Sequence, residues 1–478
     1  MTLRPTISSI LLFCLLALTA PQAGITEEAG AGKTVRVSPE GPLRTISEAV
    51  ASASPGDEII VEGPGVYKEH VVVDKPLTIT GEGHPVIDGG GSGTVVTIKG
   101  AGTVFEGFTV KGSGTHLSAE DAGILIDSAP DAAVVGNRLE DVLFGIYVKG
   151  SNGVVVDGNV VTGKDLPMPR RGDGIRLWYS SGTRILDNRV SRVRDVVIWW
   201  SSDTLLKGNV VEGGRYGLHY MSSNHNRFED NVFRNNSVGG FLMYSVDIQF
   251  YRNKFTGNRG TGTGYGVGFK DLDSVVARDN VIADNRVGIF LDNSPYLIEA
   301  WNEIDGNVIA YNDIGVSVMP SIRRNAFVAN SFTGNDEQVE VRGGGVLSGN
   351  VWSRDGRGNF WSDYVGYDED GDGVGEIPYK AESLFESLVD ENPSLRIFAY
   401  SPASKALELA SKAFPVIKPV PKLTDEHPLV RPGVVLEPAG NGDMPRGLLL
   451  ASASMALLPL AFLGYAALGG RAGNGGAR

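Results

Sequence analysis

GLHYMSSNHNRFEDNVFRNNSVGGFLMYS, residues 217–245, contains two successive copies of a short repeat. In both copies a glycine precedes an asparagine by fourteen residues, and this pair recurs from residue 123 onward. Asp195 replaces the glycine once, and the last pair is fifteen residues apart. The pairs are Gly123/Asn137, Gly145/Asn159, Gly174/Asn188, Asp195/Asn209, Gly217/Asn231, Gly239/Asn253, Gly266/Asn280, Gly288/Asn302 and Gly315/Asn330.

The spacing of these pairs predicts a solenoid. Successive pairs start 22, 29, 21, 22, 22, 27, 22 and 27 residues apart, so a basic repeat of 22 residues carries three insertions. Each repeat consists of short apolar runs between glycine-rich corners, and the 3.6-residue periodicity of a helical solenoid is missing. We therefore predict an all-β protein, a right-handed parallel β-helix whose coils lie about 4.8 Å apart. The asparagines are predicted to stack as an amide ladder inside a corner.

We expect the β-helix to span residues 34–360 and to begin with a capping helix over Leu43–Ala53. Thr45 and Glu48 have the spacing of a capping box, although Pro42 leaves open a start one turn earlier. A helix at this end would cover strand edges that otherwise invite aggregation.

Alternation along each strand separates core residues from outward residues. The first and third residues after each repeat glycine are predicted to face the core. The fourth faces outward, and this row is Asp127, Lys149, Trp178, Trp199, Met221, Met243, Lys270, Asp292 and Met319. Its middle is therefore a soft apolar column, with His219 beside Met221 at the second, also outward, position.

An exposed apolar column indicates an interaction surface, unless a loop or the C-terminal tail covers it. Thioether and imidazole ligands suit Cu(I), so His219, Met221 and Met243 are the predicted copper ligands. Further candidate ligands are His225, at the following corner, and Met168, in the insertion 163–173. Trp178 and Trp199, extended by Trp200 and Tyr244, form the predicted docking surface.

An acidic turn follows the last coil. Asp368, Asp370, Asp372 and Gly373 have the spacing of a calcium loop, to which Glu376 is expected to contribute through a water molecule. The twelfth position holds Tyr379 instead of an acid, so the match is partial. A solvated Asp-Gly turn without bound Ca²⁺ is the alternative.

Composition and the two ends predict an exported, membrane-anchored protein. The net charge of −13 excludes nucleic acid as a partner. Residues 1–23 resemble a signal peptide and contain the only cysteine, Cys14. Residues 361–430 are predicted to hold the acidic turn and an extended docking tail with a helix over Pro402–Phe414; packing of this tail on the β-helix is the alternative. A linker (431–446), an uncharged transmembrane helix (448–468) and a cytoplasmic tail (469–478) complete the chain.

Four stretches together carry a family resemblance. They are YGLHYMSSN (216–224), GGFLMYS (239–245), FWSDYVGYDEDGDGVGEIPY (360–379) and LFESLVDENPSLRIFAYSPASKALELASKAFPVIKPVPKL (384–423). Over about residues 34–430 the chain resembles the NosD family of nitrous oxide reductase maturation proteins.

The resemblance implies a periplasmic β-helix that is not itself an enzyme. Its implied partners are an ABC-type permease with a cytoplasmic ATPase, a lipoprotein copper chaperone and nitrous oxide reductase, whose copper-sulfide cluster it helps to assemble. The predicted transmembrane helix departs from this family, in which the β-helix subunit can be wholly periplasmic.

A carbohydrate-active or carbohydrate-binding β-helix is the alternative function. A polysaccharide lyase or epimerase needs a general base, or a Ca²⁺-bound carboxylate, beside an Arg, Lys or His. The centre of the outward row offers tryptophan and methionine instead. Tryptophans can stack on sugar rings, so carbohydrate binding stays open at this point.

Overall fold

The computed structural model describes residues 32–382, 385, 388, 392–398, 401–413 and 420–433. The predicted signal peptide (1–23), most of the linker (431–446), the transmembrane helix (448–468) and the cytoplasmic tail (469–478) lie outside the described residues. Within the part of the chain that is described, no helix combines the length and apolar character needed to cross a bilayer.

The predicted right-handed parallel β-solenoid is confirmed, and each coil contributes strands to three faces. All pairing between coils is parallel, from Val35 opposite Ile59 near the start to Phe332 opposite Trp361 at the end. The first and second faces form one sheet of 23 strands, because two long strands run continuously through the corner between them. The third face is a separate sheet of 13 strands.

The first face carries the outward row of interest. Its strands are Val71–Val73, Val96–Ile98, Ala122–Asp127, Phe144–Lys149, Ile175–Trp178, Asp195–Trp199, Tyr216–Met221, the first halves of Val238–Tyr251 and Tyr265–Arg278, Val287–Asp292, Ile314–Val318 and Glu337–Val341.

The second face follows the first within each coil. Its strands are Thr34–Val37, Glu58–Glu62, Thr78–Glu82, Val104–Glu106, Ala133–Val135, Val155–Asp157, Arg184–Leu186, Leu205–Lys207, Asn226–Glu229, the second halves of the two long strands, Asn302–Asp305 and Asn325–Val328.

The third face closes each coil. Its strands are Val66–Tyr67, Val86–Asp88, Thr109–Lys111, Arg138–Val142, Val160–Gly163, Arg189–Ser191, Val210–Glu212, Val232–Arg234, Lys254–Thr256, Val281–Ala283, Val308–Ala310, Ser331–Thr333 and Phe360–Trp361.

Helices are few and lie mainly at the ends. Helix α1 spans Ile46–Ser52 and helix α2 spans Pro402–Ala413, close to the predicted Pro402–Phe414. Short 3-10 turns span Leu117–Ala119, Met168–Arg170 and Pro393–Phe398, and Tyr379–Ala381 pairs antiparallel with Leu423–Asp425.

Helix α1 is the predicted N-terminal cap, although it is shorter than Leu43–Ala53. Thr45 is the N-cap, and its hydroxyl and the Glu48 side chain form the predicted capping box. Glu69 also accepts hydrogen bonds from the first helical N–H groups, at 2.8 and 2.9 Å. Ile46, Ala49 and Val50 are buried, so the helix covers the apolar interior at the open end of the solenoid.

The repeat glycines are explained by close approach of neighbouring coils. Gly217 lies within a strand, and a Cβ added there would lie 2.5 Å from the carbonyl oxygen of Gly239 in the next coil. At Gly239 the same added atom would lie 2.3 Å from the carbonyl oxygen of Gly266. Any side chain at these positions would force adjacent coils apart, which breaks the hydrogen bonds between them.

The predicted asparagine ladder is confirmed, with one correction. Within the ladder, an Asn side chain accepts the backbone N–H and amide N–H of the Asn one coil earlier, as Asn231 does from Asn209 at 3.0 and 2.9 Å. The ladder then runs through Asn253, Asn280 and Asn307. Asn302 was wrongly assigned to it, because the insertion at 294–301 lies before Asn302 and moves it into a separate short ladder with Asn325.

A second ladder, of serines, was not predicted. Ser151, Ser180, Ser201, Ser223 and Ser245 are buried at the corner between the first and second faces. From Ser180 onward each hydroxyl oxygen accepts the backbone N–H of the serine one coil earlier, at 2.9–3.1 Å, and the Ser151 hydroxyl accepts that of Ala129 at 2.9 Å. The corner that follows the outward row is thereby held at a fixed geometry.

The end of the described chain packs on the last coil. Asp425 is fully buried and accepts hydrogen bonds from the backbone N–H of Asn359 and from the Trp361 indole, at 2.7 and 2.9 Å. A carboxylate therefore ends the asparagine ladder. Within the predicted docking tail (361–430), residues 423–430 pack on the β-helix, which was the alternative.

Candidate metal centre

The soft column lies where the strand alternation predicted it. Trp178 is opposite Trp199, Trp199 is opposite Met221, and Met221 is opposite Met243 on successive coils. All four side chains are half-buried. The next residue in the row is Lys270, which pairs with Asp292 at 2.8 Å and ends the apolar column.

His219 lies beside this column on the same strand as Met221. Its side chain is 17% exposed and packs against two aromatic rings, with centroid distances of 5.0 Å to Trp199 and 4.9 Å to Tyr216. The ring Nδ1 lies 3.3 Å from a carboxylate oxygen of Asp195, one coil earlier. Packing and this hydrogen bond hold the imidazole in one orientation.

Asp195 is the most informative residue that sequence reasoning missed. In the repeat pattern it only replaces a glycine, but in the structure it begins a strand and is 1% exposed. Its carboxylate also accepts hydrogen bonds from Arg215 and from the backbone N–H of Tyr216. Burial raises the pKa of Asp195, but the hydrogen bonds from His219 and Arg215 outweigh burial and hold this pKa below its usual value.

The ionised state of Asp195 determines the tautomer of His219. A carboxylate can only accept, so Nδ1 of His219 carries the proton and donates it. Nε2 then keeps a free lone pair, and within the described residues it has no hydrogen-bond partner. A carboxylate behind the imidazole is the usual arrangement around a metal-binding histidine.

A second buried carboxylate extends the ionic layer beneath the column. Asp173 accepts two hydrogen bonds from Arg194, at 3.2 and 3.0 Å. Burial raises the pKa of Asp173, although Arg194 opposes this effect. Arg176 pairs with Glu120 at 3.1 Å, and its guanidinium lies 4.9 Å from the Tyr147 ring centroid. Three carboxylates and three guanidiniums therefore share this layer: Glu120, Asp173, Asp195, Arg176, Arg194 and Arg215.

The aromatic side chains of the predicted docking surface include three neighbouring tryptophans, and a tyrosine that was not predicted lies beside them. Trp178 lies 5.8 Å from Trp199 and 4.6 Å from Trp200, measured between ring centroids. Tyr179, which was not predicted, is 56% exposed and stacks on Trp200 at 5.2 Å with an interplanar angle of 6°. Both residues have left-handed backbone conformations, so the strand is already entering its corner there. Tyr244 has the same conformation two coils later and is 50% exposed.

The two additional candidate ligands lie in other contacts. His225 is exposed at the next corner, and its Nδ1 lies 3.0 Å from a carboxylate oxygen of Asp247, which raises the pKa of His225. Met168 is half-buried in the 3-10 turn Met168–Arg170 of the insertion. Leu166 of this insertion packs with Tyr147 and Trp178, so the insertion covers one end of the column and leaves the methionines uncovered.

The acidic turn brings three of its four predicted ligands together. Ligand oxygens of Asp368, Asp370 and Glu376 lie within 4.8 Å of one another. Asp372 instead accepts the backbone N–H of Val374 at 2.7 Å. Asp368 accepts the N–H groups of Gly371 and Gly373, at 2.7 and 3.0 Å, which shapes the loop.

Two family models match the chain. The model described as periplasmic copper-binding protein (NosD) matches residues 158–366, which include the whole soft column. The model described as right handed beta helix region matches residues 78–190.

Similar proteins are known from two pseudomonads. A probable ABC transporter binding protein NosD from Pseudomonas aeruginosa is 31% identical over 385 residues, covering 77% of this chain and 87% of that protein. The protein of the same description from Stutzerimonas stutzeri is also 31% identical, over 77% of this chain and 85% of its own length. Among solved structures, the A-module of the Azotobacter vinelandii mannuronan C-5 epimerase AlgE6 has a TM-score of 0.46 at 16% identity, over 64% of this chain and 93% of the module.

Proposed function

The chain belongs to the NosD family, and from this premise we propose that it binds Cu(I) outside the cytoplasm through His219, Met221 and Met243 and hands it to a partner protein. The observation that carries the proposal is the Asp195–His219 hydrogen bond beside two methionines that are paired in register. Relatives named as ABC transporter binding proteins, and a family described as periplasmic and copper-binding, support this location and cargo.

The three ligands suit Cu(I) in type and spacing. Met221 and Met243 are strand partners on adjacent coils, so their backbones are about 4.8 Å apart. His219 is two residues from Met221, about 7 Å along the strand and on the same face. Two thioethers and one neutral imidazole form a soft set that favours Cu(I) over harder cations.

The surroundings support transient rather than permanent binding. The half-buried column excludes part of the water, but the methionines remain accessible to a partner. With three ligands and no thiolate, the site leaves a coordination position through which an incoming ligand can attack. A partner could therefore take the metal by stepwise ligand exchange.

We infer a binding role without catalysis for this chain. The names of the relatives describe binding proteins, which supports this inference. The proposed partners are an ABC-type permease with its cytoplasmic ATPase, a lipoprotein copper chaperone and nitrous oxide reductase, and ATP hydrolysis would belong to the ATPase. Anchoring through residues 448–468 stays a prediction, as do the roles of His225 and Met168.

Competition with a Cu(I) chelator tests the site directly. Relative to wild type, the triple variant His219→Ala, Met221→Ala, Met243→Ala should lose about 3 kcal/mol or more of Cu(I) binding free energy, at least about a hundredfold in affinity. Met319→Ala is the matched control, because Met319 is half-buried in the same outward row. Equal affinity in wild type and triple variant would remove these residues from the site.

We also propose that Asp368, Asp370 and Glu376 bind Ca²⁺. Three carboxylate groups with converging oxygens match the hard oxygen ligands that Ca²⁺ prefers. Asp372 would then shape the loop rather than bind the ion.

A further inference from the structure

The insertion 294–301, SPYLIEAW, is an apolar protrusion that the copper site does not explain. Four of its side chains are 42–81% exposed: Tyr296, Leu297, Ile298 and Trp301. Isolated exposed apolar residues are ordinary on protein surfaces, but four within six residues form a contiguous patch.

This protrusion is held in one conformation. Asp273, which is buried, accepts hydrogen bonds from the backbone N–H groups of Tyr296 and Leu297, both at 2.7 Å. Arg324 donates to the carbonyl oxygens of Leu297 and Ala300, both at 3.2 Å. Because the loop is already ordered, its apolar side chains can bind a partner at a low entropic cost.

The protrusion lies on the same corner as the exposed aromatic residues of the copper site. Asn293, immediately before it, has the left-handed backbone conformation seen at Tyr179, Trp200 and Tyr244. The protrusion therefore lies two coils beyond Tyr244 and three beyond Met221, about 10 and 14 Å along the solenoid axis.

The corner between these apolar groups is acidic. Its segments 200–204, 222–225, 244–247 and 271–274 contain no lysine or arginine, and their solvent-accessible acids are Asp203, Asp247 and Asp271. An anionic bilayer would be repelled by such a corner, whereas a protein with a basic rim would be attracted.

We propose that Tyr179, Trp200, Tyr244 and residues 294–301 form one docking strip for a folded protein that exchanges copper with Met221 and Met243. The occupant has an apolar patch with a basic rim, and it contacts the strip on both sides of the methionines. The strip covers five coil steps, about 24 Å, which fits a standard interface of about 800 Å² on each partner. This docking role rests on the proposed copper function.

The test uses the full-length chain with two matched double variants. Tyr296→Ser with Ile298→Ser removes the most exposed apolar side chains of the protrusion. Val66→Ser with Val72→Ser is the control, because these residues are also about half exposed but lie near the N-terminal end. For each protein, Cu(I) affinity is measured by chelator competition, and copper transfer is measured from a separately purified, Cu(I)-loaded donor protein of the same cell.

The protrusion variant should transfer copper from the donor protein at least about tenfold more slowly, since two anchor residues are lost. Its chelator affinity, and its loading from a small Cu(I) chelate, should equal those of wild type and control. Unchanged transfer from the donor protein would overturn the proposal. Binding to anionic vesicles that depends on the protrusion, with protein transfer unaffected, would overturn it as well. Failure of the copper site itself would appear separately, as equal chelator affinity in wild type and the His219, Met221, Met243 triple variant.

Discussion

His219 can act as a copper ligand because of a residue that does not touch the metal. Asp195 replaces the repeat glycine in one coil, and its buried carboxylate orients the imidazole from behind. Arg215 and the backbone N–H of Tyr216 hold that carboxylate in turn. His219 is therefore supported by an ionic group that joins Asp195 of the preceding coil to Arg215 of its own coil.

Asp195→Asn should weaken Cu(I) binding about 10- to 100-fold, the usual loss when the partner of a metal-binding histidine is removed. An amide no longer forces Nδ1 to donate, so Nε2 loses part of its preference for the unprotonated form. Chelator competition measures the loss. Asp247→Asn is the control, because it removes the carboxylate beside His225 and should leave affinity unchanged. If the Asp195→Asn variant binds less copper per chain but with wild-type affinity, part of the protein is unfolded. That result would contradict a positioning role for Asp195.

The asparagine ladder is the element that keeps the coils in register. Asn231 accepts two hydrogen bonds from Asn209 and donates to the carbonyl of Leu206 and the side chain of Asn253. Because every partner is buried, removing one amide leaves several polar groups without compensation.

Asn231→Ala should lower the free energy of unfolding by about 2–5 kcal/mol, since at least two buried groups lose their partners at about 1–3 kcal/mol each. Urea denaturation followed by circular dichroism measures the change. Lys254→Ala, an exposed substitution on the neighbouring coil, should change stability by less than about 0.5 kcal/mol. A similar loss in both variants would contradict the role of the ladder.

The acidic turn connects two parts of the C-terminal region. The backbone N–H of Gly375 donates to the carbonyl of Pro428 at 2.7 Å, and that of Val430 donates to Gly373 at 3.1 Å. An ion held by the turn would therefore stiffen the segment that closes the last coil.

Millimolar Ca²⁺ should slow hydrogen exchange at the amides of Gly375 and Val430, because weak extracellular calcium sites have Kd values of about 10⁻⁴–10⁻³ M. Asp368→Asn with Asp370→Asn should abolish this protection. Glu369→Gln, in the same turn but outside the converging group, should retain it. If Ca²⁺ does not change the exchange rates of the wild-type chain, the turn is a solvated acidic loop and the calcium site is wrong.

At the scale of the whole molecule, the sequence was sufficient to predict the solenoid and to separate core from outward side chains on the strand after each repeat glycine. Gly217 and Asn231 recur because adjacent coils touch at those positions, so their spacing records the length of a coil. The alternation of side chains along the strand then assigned Leu218 to the core and His219 to the outward surface. These features depend only on neighbours along the chain or one repeat away.

Other features needed three-dimensional register. The slip at Asn302 arose because an insertion within a corner cannot be distinguished from one between coils by counting alone. Asp195 could have been recognised from an acid at a glycine position with Arg215 twenty residues later, but only contacts between coils reveal its link to His219. Tyr179 stands one residue after Trp178, the same position that Trp200 has after Trp199, so the same count could have found it.

The pairing of Met221 with Met243 has a mechanical consequence. The separation of their main chains is set by hydrogen bonds between coils, so neither backbone can move toward the other without straining the neighbouring coils. The solenoid acts here as a rigid frame: it fixes the spacing of the two main chains, and only the flexible methionine side chains adjust when an ion binds. A site whose backbone does not close around the metal can release it with little reorganisation. Such a site suits transfer of copper better than storage.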